Sequence, residues 1–156
     1  MKPAIWIGVA CMLVLTSAAV YSHSQAQPAQ DYQAIADRFF NLLQEGKSGE
    51  AIDYLFATNP ELKKMTDKAD NVKAKFAEAE KLLGPYAFHA KLMESKVAGA
   101  YVYQHYFVAY ERQPMSVRLK FYKPHNTWMA HGIQFDLDLT DAIQKQTDEN
   151  LSREFK

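Results

Sequence analysis

The chain has 156 residues, with 18 basic and 18 acidic side chains and a single cysteine, Cys11. This length is enough for one domain with a hydrophobic core. A formal net charge of zero argues against a nucleic-acid partner, which usually meets a basic face, and against attraction to an anionic membrane surface.

The first 26 residues have the three parts of a cleavable export signal. Lys2 supplies the positive start, an uncharged apolar run extends from Ala4 to Val20, and Ser24-Gln25-Ala26 offers small residues for cleavage. We therefore expect cleavage after Ala26 and a periplasmic or secreted protein. The alternative is an uncleaved N-terminal membrane anchor, because the apolar run approaches the ~17–25 residues that span a bilayer.

Cleavage would shorten the chain from 156 residues to 130 and remove both Lys2 and Cys11. The mature protein would then carry one basic residue fewer than acidic residues, a net charge of about −1. Without cysteine it has no disulfide, no thiolate nucleophile and no cysteine-ligated zinc or iron–sulfur site. Its stability must therefore come from packing, and we expect no membrane association after cleavage.

Residues 27–30 form a short polar lead-in that contains one proline, and we expect this lead-in to be flexible. After it, apolar residues recur with the spacing of a helix. The first predicted helix starts at Asp31, a suitable cap, and ends before Gly46. Its apolar face contains Tyr32, Ile35, Ala36, Phe39, Leu42 and Leu43. Ser48 can cap a second, shorter helix that ends at Asn59-Pro60, and Pro60 suits the first position of a new helix.

The third predicted helix carries one continuous apolar stripe that ends at Gly84-Pro85. The stripe consists of Leu62, Met65, Ala69, Val72, Phe76, Ala79 and Leu83. It would suit either a coiled-coil seam for a partner or a helix that lies across a sheet. We favour the second interpretation, because the stripe contains two alanines and strands follow it.

After Pro85 the period changes to two and the composition becomes aromatic and β-branched. Four strands are predicted near 86–94, 100–112, 115–123 and 127–138, with turns at 98–99, 113–114 and 123–126. Such short connections indicate antiparallel neighbours. The chain is thus predicted to be an α+β domain over 31–139, with three N-terminal helices packed on a bent four-stranded antiparallel sheet. Residues 140–156 are expected to form a polar C-terminal helix or tail.

Several short segments carry a resemblance to a known family. They are residues 40–47 (Phe-Asn-Leu-Leu-Gln-Glu-Gly-Lys) leading into 51–53, then Leu82-Leu83-Gly84, Tyr110-Glu111-Arg112, Phe121-Tyr122-Lys123 and Trp128. Together with the order of elements, they resemble the nuclear-transport-factor-2-like superfamily of cystatin-like cone folds, and within it small exported bacterial proteins. The resemblance implies a cone-like fold over most of 31–138. It implies no single activity, because members include isomerases, dehydratases, ligand carriers and assembly modules.

Strand alternation predicts which side chains share a face of the sheet. In 115–123 the apolar set is Met115, Val117, Leu119 and Phe121, and in 127–138 it is Met129, His131, Ile133, Phe135 and Leu137. His131 is therefore the one ionisable side chain on an apolar face. It is a candidate for a general acid or base, or for a core histidine bonded to a carbonyl or a tyrosine.

The strand at 100–112 is apolar on both faces. Tyr101, Tyr103, His105 and Phe107 share one face, and Val102, Tyr106, Val108 and Tyr110 share the other. This pattern indicates a central strand with a cover on each side. The second cover could be a ligand, the C-terminal helix or another subunit, and we favour a homodimer through the outer sheet face.

The predicted ligand-binding residues of the concave sheet are Tyr103, His105, Phe107, Phe121, Met129 and His131. The leading hypothesis is a non-enzymatic exported domain that binds a small apolar ligand or a protein partner through them. One alternative is a cofactor-independent isomerase, lyase or hydrolase that uses His131 and Tyr103, and another is a structural subunit of an envelope assembly. We expect no metal site and no cofactor, because the sequence has no HExxH-type spacing and no phosphate-binding glycine loop.

Overall fold

The structure is a computed structural model that describes residues 31–140 and residue 144. The predicted export signal, the lead-in and, apart from Thr140 and Gln144, the predicted C-terminal segment lie outside the described residues. None of the helices in the described part combines the length and the hydrophobicity that crossing a bilayer requires.

The described chain begins with four helices, where three were predicted. They are α1 (Tyr32–Gln44), α2 (Ser48–Ala57), α3 (Pro60–Lys63) and α4 (Thr66–Leu83). The predicted third helix is divided because the backbone leaves helical geometry at Met65, with φ −92° and ψ 61°. Met65, predicted on the buried stripe, is consequently 45% exposed, whereas Phe76 and Leu83 of the same stripe are fully buried.

The helix ends agree with the sequence prediction better than the helix starts. Gly46 follows α1 with a φ of +72°, and this left-handed residue allows its amide to donate to the carbonyl of Leu43 at 3.0 Å. Asp31 occupies the cap position of α1, but its side chain makes no capping hydrogen bond. Lys47, rather than Ser48, precedes α2 as its cap. Side-chain periodicity thus located the helices. The predicted cap position of Asp31 is confirmed without its hydrogen bond, whereas the capping assigned to Ser48 was wrong.

Four antiparallel strands follow in the order β1-β2-β3-β4, as predicted. They are β1 (Tyr86–Val97), β2 (Tyr101–Tyr110), β3 (Met115–Tyr122) and β4 (Met129–Asp136). The turn after β1 has positive φ at both Ala98 and Gly99, a geometry that matches the right-handed twist of paired strands. The α+β class, with helices first and an antiparallel sheet after them, is confirmed.

The helices pack on one face of the sheet, which we call the helix-covered face. In β2 this face consists of Val102, Gln104, Tyr106, Val108 and Tyr110. The residues of β1 and β3 that pair with them lie on the same face. Phe40 contacts Tyr106 with ring centroids 4.5 Å apart, and Phe76 contacts Phe135 at 4.9 Å. The largest fully buried apolar side chains are Phe39, Phe40, Phe76, Phe121, Ile35, Leu43, Ile52, Leu55, Leu83, Met115 and Leu119.

The opposite face is called the outer face, and a β-bulge in β4 determines which side chains reach it. Lys120 pairs with Gly132, but the next residue of β3, Phe121, pairs with Ala130, so the pairing skips His131. His131 is exposed, and its ring lies 5.8 Å from that of Tyr101 and 6.0 Å from that of Tyr122. The prediction that His131 shares an apolar face with Ile133 was therefore wrong.

Candidate functional site

The predicted binding residues fall on both faces of the sheet rather than on one. Five lie on the outer face: Tyr103, His105, Phe107, Met129 and His131. Phe121 lies on the helix-covered face, is 0% exposed, and contacts Tyr32 of α1 with ring centroids 6.1 Å apart. Phe121 is therefore a core residue here, and the structure does not bring it together with the other five.

An aromatic surface runs across the strands of the outer face. It consists of Phe88 and Val97 of β1, Tyr101, Tyr103 and Phe107 of β2, Tyr122 of β3, and Met129 of β4. The rings of Phe88 and Phe107 lie 6.1 Å apart. Phe88 is 57%, Val97 61% and Tyr122 40% exposed. Phe88 and Phe107 lie toward one end of the sheet, and Val97, Tyr101 and Tyr122 lie at the other end. Exposed apolar groups that share one face are typical of interaction sites.

The described helices contact the sheet on its other side. The ring contacts between helix and sheet join Phe40 to Tyr106 and His89, Tyr32 to Phe121, and Phe76 to Phe135. All four sheet residues in these contacts belong to the helix-covered face. Within the described residues, the aromatic surface is thus formed by strands alone.

Charged side chains of both signs lie on the outer face. Arg118 and Lys120 of β3 alternate with the buried residues of that strand and are half-buried. Asp136 at the end of β4 is exposed and pairs in register with Ser116. The outer face therefore combines an apolar surface with polar groups of opposite charge, as protein interfaces do.

A histidine and a serine meet on the outer face. His105 Nε2 and Ser116 Oγ are 2.7 Å apart, which resembles the contact of a general base with a nucleophile. Ser116 is however 0% exposed and His105 only 6%, so a substrate has no access to the hydroxyl in this structure. This pair therefore acts as a buried polar link between β2 and β3.

His131 and Tyr103, the residues of the predicted enzyme alternative, both lie on the outer face, and no hydrogen bond joins them in the described part of the chain. His131 contacts Tyr101 and Tyr122, whereas the ring of Tyr103 lies 6.5 Å from that of His105. His105 is four residues along β2 from Tyr101, or about 13 Å at the rise of a β-strand. The two histidines are thus placed at different parts of the outer face.

A polar network that the sequence analysis missed lies on the helix-covered face. Gln104 is 0% exposed and donates to Glu94 Oε2 at 2.8 Å and to Gln33 Oε1 at 3.0 Å, while Tyr106 donates to Gln104 Oε1 at 2.9 Å. The amide of Gln104 is well satisfied, as a buried polar group requires. Alternation could have revealed it, because Gln104 lies between Val102 and Tyr106 on that face.

Metal binding finds no support in the described part of the chain. Within residues 31–140 and 144, no group of three His, Cys, Asp or Glu side chains is placed to hold an ion.

The chain matches no protein-family model, no curated protein and no solved structure. The resemblance to nuclear-transport-factor-2-like proteins therefore stays a prediction, and function has to be argued from the surfaces of the molecule.

Proposed function

We propose that this protein is a non-enzymatic assembly domain that acts outside the cytoplasm and pairs with a second copy of itself through its outer face. The aromatic surface carries this proposal. Phe88, Val97 and Tyr122 are exposed on this surface, and their burial against a matching surface removes them from water.

The size of the outer face sets the strength of the expected dimer. Four strands about 4.8 Å apart and about ten residues long, at about 3.3 Å per residue, span roughly 600 Å² in plan. Ser116 and His105 lie on this face but are 0% and 6% exposed, so only part of the face is available for contact. Standard interfaces bury about 800 Å² on each partner, and we therefore expect a weak dimer.

The charges on the outer face favour a second copy of the chain as the partner. In a two-fold dimer the same patch meets itself, so a patch of one sign would repel its copy. The outer face instead carries the cations Arg118 and Lys120 together with Asp136, and a two-fold axis can place one against the other. The balanced charge of the whole chain keeps repulsion between copies small.

The other hypotheses receive less support from the described residues. A small apolar ligand needs a partly enclosed apolar cavity, whereas the space between helices and sheet is filled by side chains such as Phe39, Phe76 and Phe121, each 0% exposed. Acid–base catalysis needs converging polar groups, whereas His131 is exposed beside two tyrosine rings.

Sedimentation velocity of purified protein over a range of concentrations tests the assembly proposal. We expect a monomer–dimer equilibrium. The double variant Phe88→Ser/Tyr122→Ser should raise the dissociation constant of the dimer by about tenfold or more, because two exposed apolar side chains are lost from the interface. Leu82→Ser is the matched control. Leu82 is 58% exposed and lies on α4, which packs on the helix-covered face through Phe76, so this variant should dimerise like the wild type.

Two results would contradict self-association through the outer face. The first is a wild-type protein that stays monomeric at concentrations up to about 1 mM, because its dissociation constant would then exceed that of even a weak dimer. The second is a dimer that Leu82→Ser weakens and the outer-face variant does not. Native mass spectrometry tests the ligand-binding alternative. A monomer that carries a co-purified small molecule would support that alternative instead of assembly.

A further inference from the structure

A groove of about 380 Å³ lies between α4 and the end of β4. Ala79 and Leu82 of α4 form one side of it, and Phe135 and Leu137 form the other. Leu82 is 58% and Leu137 40% exposed, although both are large apolar side chains. The lining of the groove shares no residue with the aromatic surface, so an inference about it does not depend on the proposed assembly.

The side of the groove that belongs to α4 consists of two ridges. Lys75 and Ala79 are four residues apart, as are Glu78 and Leu82, and all four side chains line the groove. Side chains spaced by four form a ridge on the surface of a helix, and the space between two such ridges accepts a ridge of another helix. The groove therefore has the shape that a packed helix requires.

The groove also adjoins an open edge of the sheet. β4 is the last strand in the order β1-β2-β3-β4, so one side of its backbone pairs with no strand in the described part of the chain. Asp136 at the end of β4 lines the groove together with Leu137. Proteins commonly cover an edge strand with a helix or a loop, and the groove lies where such a cover is expected.

The chain leaves the sheet beside this groove. The amide of Asp138 donates to Asp136 Oδ1 at 3.0 Å, and the amide of Thr140 donates to Asp138 Oδ1 at 2.8 Å. Asp138 thus caps a helix start, and both Thr140 and Gln144 have helical backbone. Sixteen residues follow Thr140, and they begin close to Leu137, which lines the groove.

The sequence after Thr140 contains an apolar row at helical spacing. Ile143, Leu151 and Phe155 are separated by multiples of four residues, and Thr147 completes the row. Residues four apart are neighbours on one face of a helix. In a helix that starts at Thr140, this row forms a ridge of the kind that fits between two ridges of another helix.

We propose that residues 141–156 bind in the groove between α4 and β4 of the same molecule. The apolar row of this segment packs between the two ridges of α4. The contact removes Leu82 and Leu137 from water and covers the open edge of β4. The segment of the same molecule is favoured over that of another copy, because its attachment beside the groove gives it a high effective concentration there.

A spin label on the C-terminal segment measures where that segment lies. Cys11→Ser removes the single cysteine of the chain, and Glu149→Cys then carries a nitroxide on the side of the helix away from the apolar row. We expect the backbone amide signals of Ala79 and Leu137 to lose most of their intensity through paramagnetic relaxation. The signal of Tyr103 on the outer face should keep its intensity.

Substitution of the apolar row should release the segment. Ile143→Ser/Leu151→Ser should lower the ratio of bound to unbound segment by about tenfold or more, because two apolar side chains leave the groove. The amide signals of the groove should then recover. Ala142→Ser/Lys145→Ser is the matched control, since it also introduces two serines but outside the row, and its groove signals should stay weak.

Two variants of the folded domain separate this proposal from the assembly proposal. Leu82→Ser changes the groove and should release the segment, although it leaves the dimer intact. Phe88→Ser/Tyr122→Ser should leave the segment bound, although it weakens the dimer. Failure of one proposal can therefore be recognised independently of the other.

Four results overturn the proposal. The first three are full intensity at Ala79 and Leu137 beside the label, loss of intensity at Tyr103 instead, and a loss at the groove that Ile143→Ser/Leu151→Ser does not reverse. The fourth is loss of the groove signals in isotope-labelled protein that is mixed with spin-labelled protein free of the isotope. Such a loss would mean that the segment binds to a second copy.

Discussion

Glu94 joins a helix and two strands through a single carboxylate. It accepts hydrogen bonds from Tyr32 of α1 at 3.2 Å, from Lys91 of β1 at 2.7 Å and from Gln104 of β2 at 2.8 Å. The side chain is only 19% exposed. Burial opposes ionisation of Glu94, but hydrogen bonds from Lys91, Gln104 and Lys96 outweigh it and hold its pKa at about 2, below the ordinary value of 4.5.

The lowered pKa makes the stability that Glu94 contributes depend on pH. A carboxyl group whose pKa is lower in the folded state stabilises the protein fully above its unfolded pKa, here 4.5, and loses that contribution as pH falls toward the folded value. We expect Glu94→Gln to lower the free energy of unfolding by about 2 kcal/mol at neutral pH and by clearly less at about pH 2.5. Urea unfolding at both pH values measures this difference.

Glu78→Gln is the control for this pH effect, since Glu78 is an exposed carboxylate on α4. Its free energy of unfolding should follow that of the wild type at both pH values. A Glu94→Gln variant that is equally destabilised at neutral pH and at about pH 2.5 would show that packing, rather than the ionised carboxylate, accounts for the role of Glu94.

At the scale of elements, the junction of α2 and α3 holds β4 in place. Asn59 donates from its side chain to the carbonyl oxygen of Ala130 at 2.8 Å, and the amide of Ala130 donates to the hydroxyl of Thr58 at 2.9 Å. The same Asn59 caps α3 by accepting from the amide of Glu61 at 2.9 Å. Thr58 and Asn59 thus satisfy both backbone groups of Ala130, next to the bulge at His131.

Replacement of Asn59 should uncouple this junction from the sheet. Asn59→Ala removes a helix cap and a buried hydrogen bond, so we expect a loss of about 2 kcal/mol in the free energy of unfolding. Amide exchange at Gly132 should also become faster, because the bulge loses its support. Asn126→Ala, in the exposed loop before β4, is the control. A loss below about 0.5 kcal/mol in Asn59→Ala would contradict this account.

Element prediction succeeded where periodicity is strong. The strands β2 and β3 were placed to within two residues because apolar residues alternate along them with a period of two. The strand β1, whose register shifts twice, extends to Val97, three residues beyond its predicted end. The break before α4 was missed, because Met65 extends the helical stripe of apolar residues although its backbone is not helical. Side-chain periodicity reports which residues would share a face, but it does not report the backbone angles between two helices.

For the molecule as a whole, the adjacent residues Phe121 and Tyr122 distinguish the two faces of the sheet. Phe121 is 0% exposed under α1, whereas Tyr122 is 40% exposed on the outer face. We expect Phe121→Ala to lower the free energy of unfolding by about 3–5 kcal/mol, because it leaves a cavity in the core. Tyr122→Ala should change it by less than about 1 kcal/mol in the monomer.

The same pair of variants separates folding from assembly. Urea unfolding of dilute protein reports the stability of the monomer, and sedimentation reports the dimer. Under the proposed function, Tyr122→Ala weakens the dimer and leaves the monomer stable. A Tyr122→Ala variant that loses as much monomer stability as Phe121→Ala would mean that the outer face is part of the core.

The candidate sites could be predicted only in part from sequence. Tyr103 and Phe107 were assigned together and do share the outer face, because β2 is regular and alternation holds along it. The contacts of His131 with Tyr101 and Tyr122 were not predicted by any sequence pattern. They depend on the register between β3 and β4, which is a property of packing.

Sequence alone determined the α+β class, the order of helices before strands and the antiparallel meander. These features follow from the spacing of apolar residues, from the turn residues and from the short connections between strands. Only the tertiary structure decided which face His131 occupies. The bulge there depends on the register with β3 and on Asn59, which is 71 residues away from Ala130. A one-residue shift moves a side chain from one face of a sheet to the other, and such a shift is set by contacts distant in the chain.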